Sequence, residues 1–399
     1  FGSWDNDPTI QSMLTMLDSI NDRFKTTDKF FNKLIDKNNP IITFQFLNLK
    51  EFKLTDDLYI KMNARGKQLT PFENFKAKFE QYIKELKFTN ASIYKLIYEG
   101  KEYNVPVYEY FSYNIDTIWA NLFWNYKSKK NIFDYELMNF IRVVATNHYA
   151  LKEKNDDKLE NLKLLIGKED ANRKDIESTP ISFAQYYELG CFDEKFIIDL
   201  ISIFDLVVNG DDKIKSYLSD KYYFDEEDVF SEVIKNRLNY TQQVRFFAFY
   251  QYLITNKTSA GLVEWMRVIF NLSENTIYNR VVEYSRSINA IALLLPNSSD
   301  ILKYISDFNN PVVGFLDLQI TEERIKSILI QKNDDWKNAI IEVEKHGYFS
   351  GQINFILNFS GIEDYYLKNN YALSWSDVED KNFFKLFTNY VYKAKAIFS

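Results

Sequence analysis

The chain has 399 residues, enough for two or three domains at roughly 100 to 200 residues each. Hydrophobic residues make up 46% and aromatics 17%, with 34 Phe and 28 Tyr, a composition that excludes a disordered chain and calls for a large packed core. With 49 basic against 56 acidic residues the net charge is −7, which excludes the overall positive field of a protein that coats nucleic acid and leaves only a local basic groove open.

The first expected element is a helix, because Ile10, Met13, Leu14, Leu17 and Ile20 share one helical face behind Asp5-Asn6-Asp7-Pro8. A start at Phe1, directly before this helix, is expected of a chain that has lost its N-terminal part. Two strands follow: Ile42, Phe44 and Phe46 alternate with polar residues, and so do Leu58, Ile60 and Met62, an arrangement suited to an antiparallel ribbon. Gly66 ends the second strand. Thr70, Pro71 and Glu73 then spell a helix start with a capping box, and Phe72, Phe75, Phe79 and Ile83 continue one apolar face. The turn between strand and helix carries Asn63, Arg65 and Lys67. A helix N-terminus attracts anions, so these groups either help hold a phosphate or, in a plain corner, face water.

Beyond Glu80 the pattern reads as helical almost throughout. Ile115, Ile118, Trp119, Leu122, Phe123 and Tyr126 fall on one face, as do Phe133, Leu137, Phe140, Ile141 and Val144, which predicts two helices packed together. Residues 152–177 are rich in Lys, Asp, Glu and Asn and read as a charged linker or excursion, with Leu159, Leu162 and Leu165 able to form a short helix inside it. Further helices are expected over 196–208, stopped at Asn209-Gly210, and over 240–254, 262–272 and 281–295. Others are expected from Thr321-Glu322-Glu323, over 336–343 and over 383–398. The fold class is therefore mainly α, a multi-helical body with a small two-stranded β element near the N-terminus.

Few residues advertise chemistry. His148 and His346 lack spaced partners for a metal, and His346 before Gly347 suits the ordering of a turn. The single cysteine, Cys191, rules out an internal disulfide and a cysteine-cluster zinc site and fits a reducing cytoplasm. No apolar run approaches the roughly 18 residues that span a bilayer. Acidic pairs such as Glu226-Glu227 and Asp334-Asp335 read as solvated helix starts. Arg267, flanked by Trp265, Met266, Val268 and Ile269, needs a buried carboxylate, a carbonyl or a phosphate as partner, the ion pair being favoured. The many aromatics either build core or offer stacking platforms for unpaired bases.

Three stretches carry a resemblance. Asn63-Ala64-Arg65-Gly66, Leu69-Thr70, Glu73 and Lys76 resemble the N-x-R-G-x-x-L-[ST]-x-x-[DE]-x-x-K motif of the GmrSD-type restriction endonuclease family. So do Glu264 to Ile269 with Asn271-Leu272 and Asn275-Thr276, and Glu344-Lys345-His346 with Tyr348-Phe349, Gly351-Gln352 and Phe355. The resemblance implies prokaryotic defence against foreign DNA by a protein with a ParB/sulfiredoxin-like N-terminal domain. It divides the chain into 1–88 as the end of that α/β domain, 89–151 as a helical connector and 178–399 as a helical domain. It also implies a nucleoside triphosphate with Mg2+ in the full-length protein. Asn63, Arg65 and Lys67 would face phosphate, Lys76 would support them, Gly66 and Glu73 would shape the turn, and Arg267 would be a second contact. DNA and a protein partner are the implied partners, without a membrane.

The sequence departs from the family plan in two places. The Asp-Gly-Gln-Gln-Arg motif is absent, its nearest approach being Gln242-Gln243-Val244-Arg245, and no histidine-metal nuclease motif is present. No catalytic residue and no metal ligand is therefore assigned within this chain. The reading that competes with a nucleotide-dependent enzyme is an inert helical scaffold or adaptor.

Overall fold

The computed structural model describes residues 8–25, 31, 34–40, 69–89, 93–98, 100–127, 132–152, 157–167, 180–209, 214, 217–218 and 220–398. The chain divides into two compact units, Phe1–Gln68 and Leu69–Ser399. In the first, helix α1 (Pro8–Phe24) matches the sequence expectation. The expected strands near 42–46 and 58–62, and the turn bearing Asn63, Arg65, Gly66 and Lys67, lie outside the described residues.

The second unit opens with α2 (Pro71–Glu85). Thr70 Oγ1 accepts the Glu73 N–H at 3.2 Å while the Glu73 carboxylate accepts the Thr70 N–H at 2.6 Å, so the capping box is formed. Phe72, Phe75, Phe79 and Ile83 are all buried, as their spacing required. Phe79 packs edge-on against Phe111 at 5.3 Å and against Phe192 at 4.9 Å, and each such ring taken from water contributes about 1.5–3 kcal/mol.

Next comes the β element, and it corrects the reading of this stretch as helical. Strands β1 (Ile93–Tyr98) and β2 (Lys101–Pro106) pair antiparallel, Ile93 opposite Pro106 and Tyr98 opposite Lys101. The two-residue turn ends in Gly100 at φ +75°, a conformation the flanking strand twist favours and glycine adopts without strain. A second correction follows. The face drawn from Ile115 to Tyr126 is broken at Thr117 into α3 (Val107–Asp116) and α4 (Ile118–Trp124); Ile115, Trp119 and Phe123 are buried, whereas Ile118 and Tyr126 are exposed. Phe123 meets Phe140 of α5 (Asp134–Ala150) edge-on at 5.7 Å.

Helix α6 (Lys158–Ile166) forms inside the charged 152–177 stretch, with Leu162 and Leu165 buried and Leu159 exposed. Then follow α7 (Phe183–Glu188), α8 (Glu194–Asn209) and α9 (Glu226–Ile234), and α10 (Tyr240–Asn256), which lies centrally. Gly210, the expected stop of α8, is outside the described residues. Helix α10 touches α5, α8 and α9, and also α11 (Leu262–Glu274) and α12 (Val281–Leu294). A 3₁₀ turn (Leu295–Asp300) and α13 (Ile301–Ser306) lead to the C-terminal helices. These are α14 (Asp317–Lys332), α15 (Asp334–Glu344), α16 (Asn354–Phe359), α17 (Ile362–Lys368) and α18 (Asp377–Phe398).

The unit is mainly α with one two-stranded sheet among the described residues. Its apolar core falls into two clusters, one running from Phe72 to Ile320 and the other from Ile325 to Ala394. Helix α14 corrects a further expectation. It begins at Asp317, not at Thr321, so Glu322 and Glu323 are interior residues of the helix and both are buried.

Candidate functional site

Two of the three stretches that carry the resemblance meet at one place. Arg267 on α11 is 2% exposed, and Glu344, the last residue of α15, is wholly buried against it. The guanidinium grips the carboxylate with two bonds, Nε to Oε2 at 2.9 Å and Nη2 to Oε1 at 2.5 Å. Asn271, one turn along α11, donates its amide to Glu344 Oε1 at 2.9 Å and to Glu323 Oε1 at 2.8 Å. Lys326 of α14 completes the group. Its ammonium lies 2.8 Å from Glu322, 2.9 Å from Glu344 and against Glu323, and it donates to the Gly351 carbonyl at 2.8 Å.

All five charged side chains are buried, and three carboxylates face two cations, leaving one negative charge in excess. Burial opposes the charge of Arg267, Lys326, Glu344 and Glu322. For Arg267 and Lys326 the neighbouring carboxylates outweigh burial and raise both pKa values. Burial likewise works against the Glu344 carboxylate, but Arg267 and Lys326 hold its pKa below the ordinary value. Glu322 goes the other way: burial dominates and raises its pKa, although Lys326 and the Ile353 N–H pull it down. Glu322 also spans the entry to α16, accepting the N–H groups of Ile353 at 2.8 Å and Asn354 at 3.1 Å. Arg267 Nη1 and Glu323 Oε2 face one another at 3.3 Å without hydrogen-bond geometry, and Asn271 Oδ1 is buried with no partner.

The surrounding backbone is shaped to this group. Gly351 has φ +83°, and a methyl group there would collide with the Asn271 carboxamide oxygen. Asn275 donates to the Ser350 carbonyl at 3.4 Å, and the Tyr222 hydroxyl donates to the Glu344 carbonyl at 3.1 Å. Lys345 pairs with Asp220. His346 orders the turn as expected, its carbonyl accepting the N–H groups of Phe349 at 2.9 Å and Ser350 at 3.1 Å.

The remaining predicted residues lie elsewhere. Glu73 is engaged by the Thr70 backbone, and the Lys76 ammonium by Asp116 and by Glu80 at 3.8 Å, so both serve the α2 corner. Arg267 has carboxylates as its partners, the ion pair its apolar flanks favoured. Reading the sequence missed Glu322, Glu323 and Lys326. Their signal is present in Ile320-Thr321-Glu322-Glu323-Arg324-Ile325-Lys326, where acids stand three and four residues before a lysine, between Ile320 and Ile325 and just before Ile328-Leu329-Ile330.

Two further charged groups are half-buried. The Asp205 carboxylate accepts Trp119 Nε1–H and the Tyr110 hydroxyl, each at 3.0 Å, yet burial pushes its pKa up to about 6. His148 meets Asp193 at 2.8 Å; burial alone would raise Asp193, but His148, the Phe196 N–H and Lys152 together bring it down to about 2. Among the described residues no group of three His, Cys, Asp or Glu could hold a metal ion, and no helix is long and apolar enough to cross a membrane.

The buried cluster cannot act on a substrate, because none of its charges reaches water. Its arrangement instead joins α11, in the first core cluster, to α15, in the second, through α14, which contributes to both. No family model, curated protein or solved structure matches the chain.

Proposed function

We propose that this chain is the helical body of a GmrSD-type defence protein of the prokaryotic cytoplasm, whose complete form couples nucleotide hydrolysis to recognition of foreign DNA. One observation supports this reading. The stretches 264–276 and 344–355, each of which resembles the family, converge on a single buried ion group through Arg267, Asn271, Glu344 and Gly351. Residues that share a motif because they share a fold should meet in this way. The proposal assigns Asn63, Arg65 and Lys67, which lie outside the described residues, to the phosphates of a Mg2+-bound triphosphate. The test is calorimetric titration of the full-length protein with ATP and with GTP in Mg2+. Saturable micromolar binding that Arg65→Ala abolishes without altering the melting temperature is expected; binding unchanged in that variant removes the assignment.

A second reading, a helical adaptor that binds a protein partner, is favoured by the state of Lys76 and Glu73. Both side chains are committed to neighbours within the corner, leaving the phosphate to Arg65 and Lys67. Absence of saturable nucleotide binding by the full-length protein would make this the working hypothesis.

A further inference from the structure

A groove of about 960 Å³ opens between the 3₁₀ turn, α13, the end of α14 and the segment 371–374, at the upper end of the range for small-ligand pockets and open along one side. Its walls are fixed from behind. The Arg324 guanidinium donates to the carbonyls of Ile305 at 2.9 Å and Asn310 at 2.8 Å, and also to that of Asp307, pinning the loop 305–310. Phe308 in that loop stacks on Tyr371 across the groove's end. Asn370 and Tyr371 both hold positive φ, +53° and +59°, a conformation costly for residues with a Cβ and kept only where the surroundings impose it.

The lining is rich in free acceptors. Asn310 donates its amide to the Tyr304 carbonyl at 2.9 Å. Gln331 donates to the carbonyls of Leu302 at 3.1 Å and Ser327 at 2.8 Å, so in both the carboxamide oxygen is the end left over. Asp300 and Asp307 add carboxylates; Asp307 Oδ1 accepts the Asn309 N–H at 2.9 Å and its side-chain amide at 3.1 Å, which leaves its second oxygen over. Of the two lysines in the lining, Lys332 is already matched by Asp380 at 2.8 Å, and Lys303 has no ion pair among the described residues. The Asp300 carboxylate, the second oxygen of Asp307 and the two carboxamide oxygens call for a ligand that is all donor, and the guanidinium group, with five N–H and no acceptor, is that chemistry. Along one wall Leu373 and Ser374 run outside helix and strand, and their N–H groups have no acceptor among the described residues. An extended main chain laid beside them would supply carbonyls.

We propose that this groove binds an extended, arginine-bearing peptide segment of a partner protein, its guanidinium received by Asp300, Asp307, Asn310 and Gln331. The proposal stands independently of the nucleotide reading. Its test is fluorescence anisotropy of the whole chain with a fluorescein-labelled Gly-Arg-Gly-Arg-Gly peptide and the same peptide with citrulline for arginine. Saturable binding of the arginine peptide is expected, with at least tenfold weaker binding of the citrulline peptide and of the arginine peptide to the D300N/D307N double variant. Lys303→Ala should tighten it severalfold. All three side chains are exposed, so melting temperatures should be unchanged. An equal loss in an E160Q/E188Q variant, whose acids lie on helices that do not line the groove, would reduce the binding to general attraction by an acidic protein and overturn the proposal. So would spermidine binding more tightly than the peptide, since a free polyamine would then be the better ligand.

Discussion

The Arg267 guanidinium and the Glu344 carboxylate, 77 residues apart in sequence, form a two-point pair shut off from solvent at 2.9 and 2.5 Å. Truncating one partner of such a pair strands the other as an uncompensated charge. Arg267→Met should therefore destabilise the chain by about 3–5 kcal/mol. In an R267M/E344M double variant one cation and one carboxylate leave together, the net charge of the cluster is unchanged, and much of the loss should return. Urea midpoints of the wild type, both single variants and the double variant measure the coupling; simple addition of the two single losses would show that the pair is not a unit.

The pH dependence of stability should carry opposite contributions from two aspartates. Asp205 has a folded pKa raised from 3.8 to about 6, so the folded form holds its proton more tightly than the unfolded chain does. Its contribution is full below pH 3.8 and is lost as pH rises through about 6, a fall of about 3 kcal/mol at 1.36 kcal/mol per unit. Asp205→Asn should flatten stability between pH 4 and 7, measured as urea midpoints across that range. Asp193, depressed to about 2, acts in reverse: its contribution is present above 3.8 and lost as pH falls toward 2. Asp193→Asn should remove that acid-side slope.

Gly351→Ala should be among the most damaging small substitutions. It combines a φ of +83° with a collision against Asn271, so the alanine must distort the turn whose residue 351 carbonyl accepts from the Lys326 ammonium. Gly347, in the same turn, has open space at its Cβ position and no positive φ, and G347A should leave the melting temperature within about a degree.

At the start of α2, Thr70→Ala removes the side-chain acceptor for the Glu73 N–H and should cost about 1 kcal/mol. Glu73→Gln preserves an oxygen for the Thr70 N–H and should cost less than half as much. Equal losses would mean that the charge of Glu73, and not its capping bond, is what stabilises the corner.

What could be read from the sequence was whatever depends on neighbours along the chain. The cap at Thr70, the buried stripe from Phe72 to Ile83 and the helices at 240–256, 262–274 and 281–294 all follow from periodicity and local hydrogen bonding. The hairpin at 93–106 escaped because its strands bury little: Val105 is the one buried residue in them, so no alternating pattern shows. The buried ion group escaped for a different reason. Glu322 and Glu323 look like a solvated helix start, and only α11 and α15, brought in from distant sequence, turn them inward. Arg267 was legible because its apolar flanks demanded a partner, but nothing along the chain named Glu344.

Dissection of this protein into pieces is constrained by the reach of that one ion group. A fragment ending anywhere between Glu274 and Glu344 would keep Arg267 while discarding its main carboxylate. One beginning in the same interval would keep Glu344, or Lys326 with it, without the arginine. Expression boundaries drawn between the two apolar clusters, where a domain division looks natural, should therefore give aggregating products, and soluble fragments should be those that retain 262–353 intact.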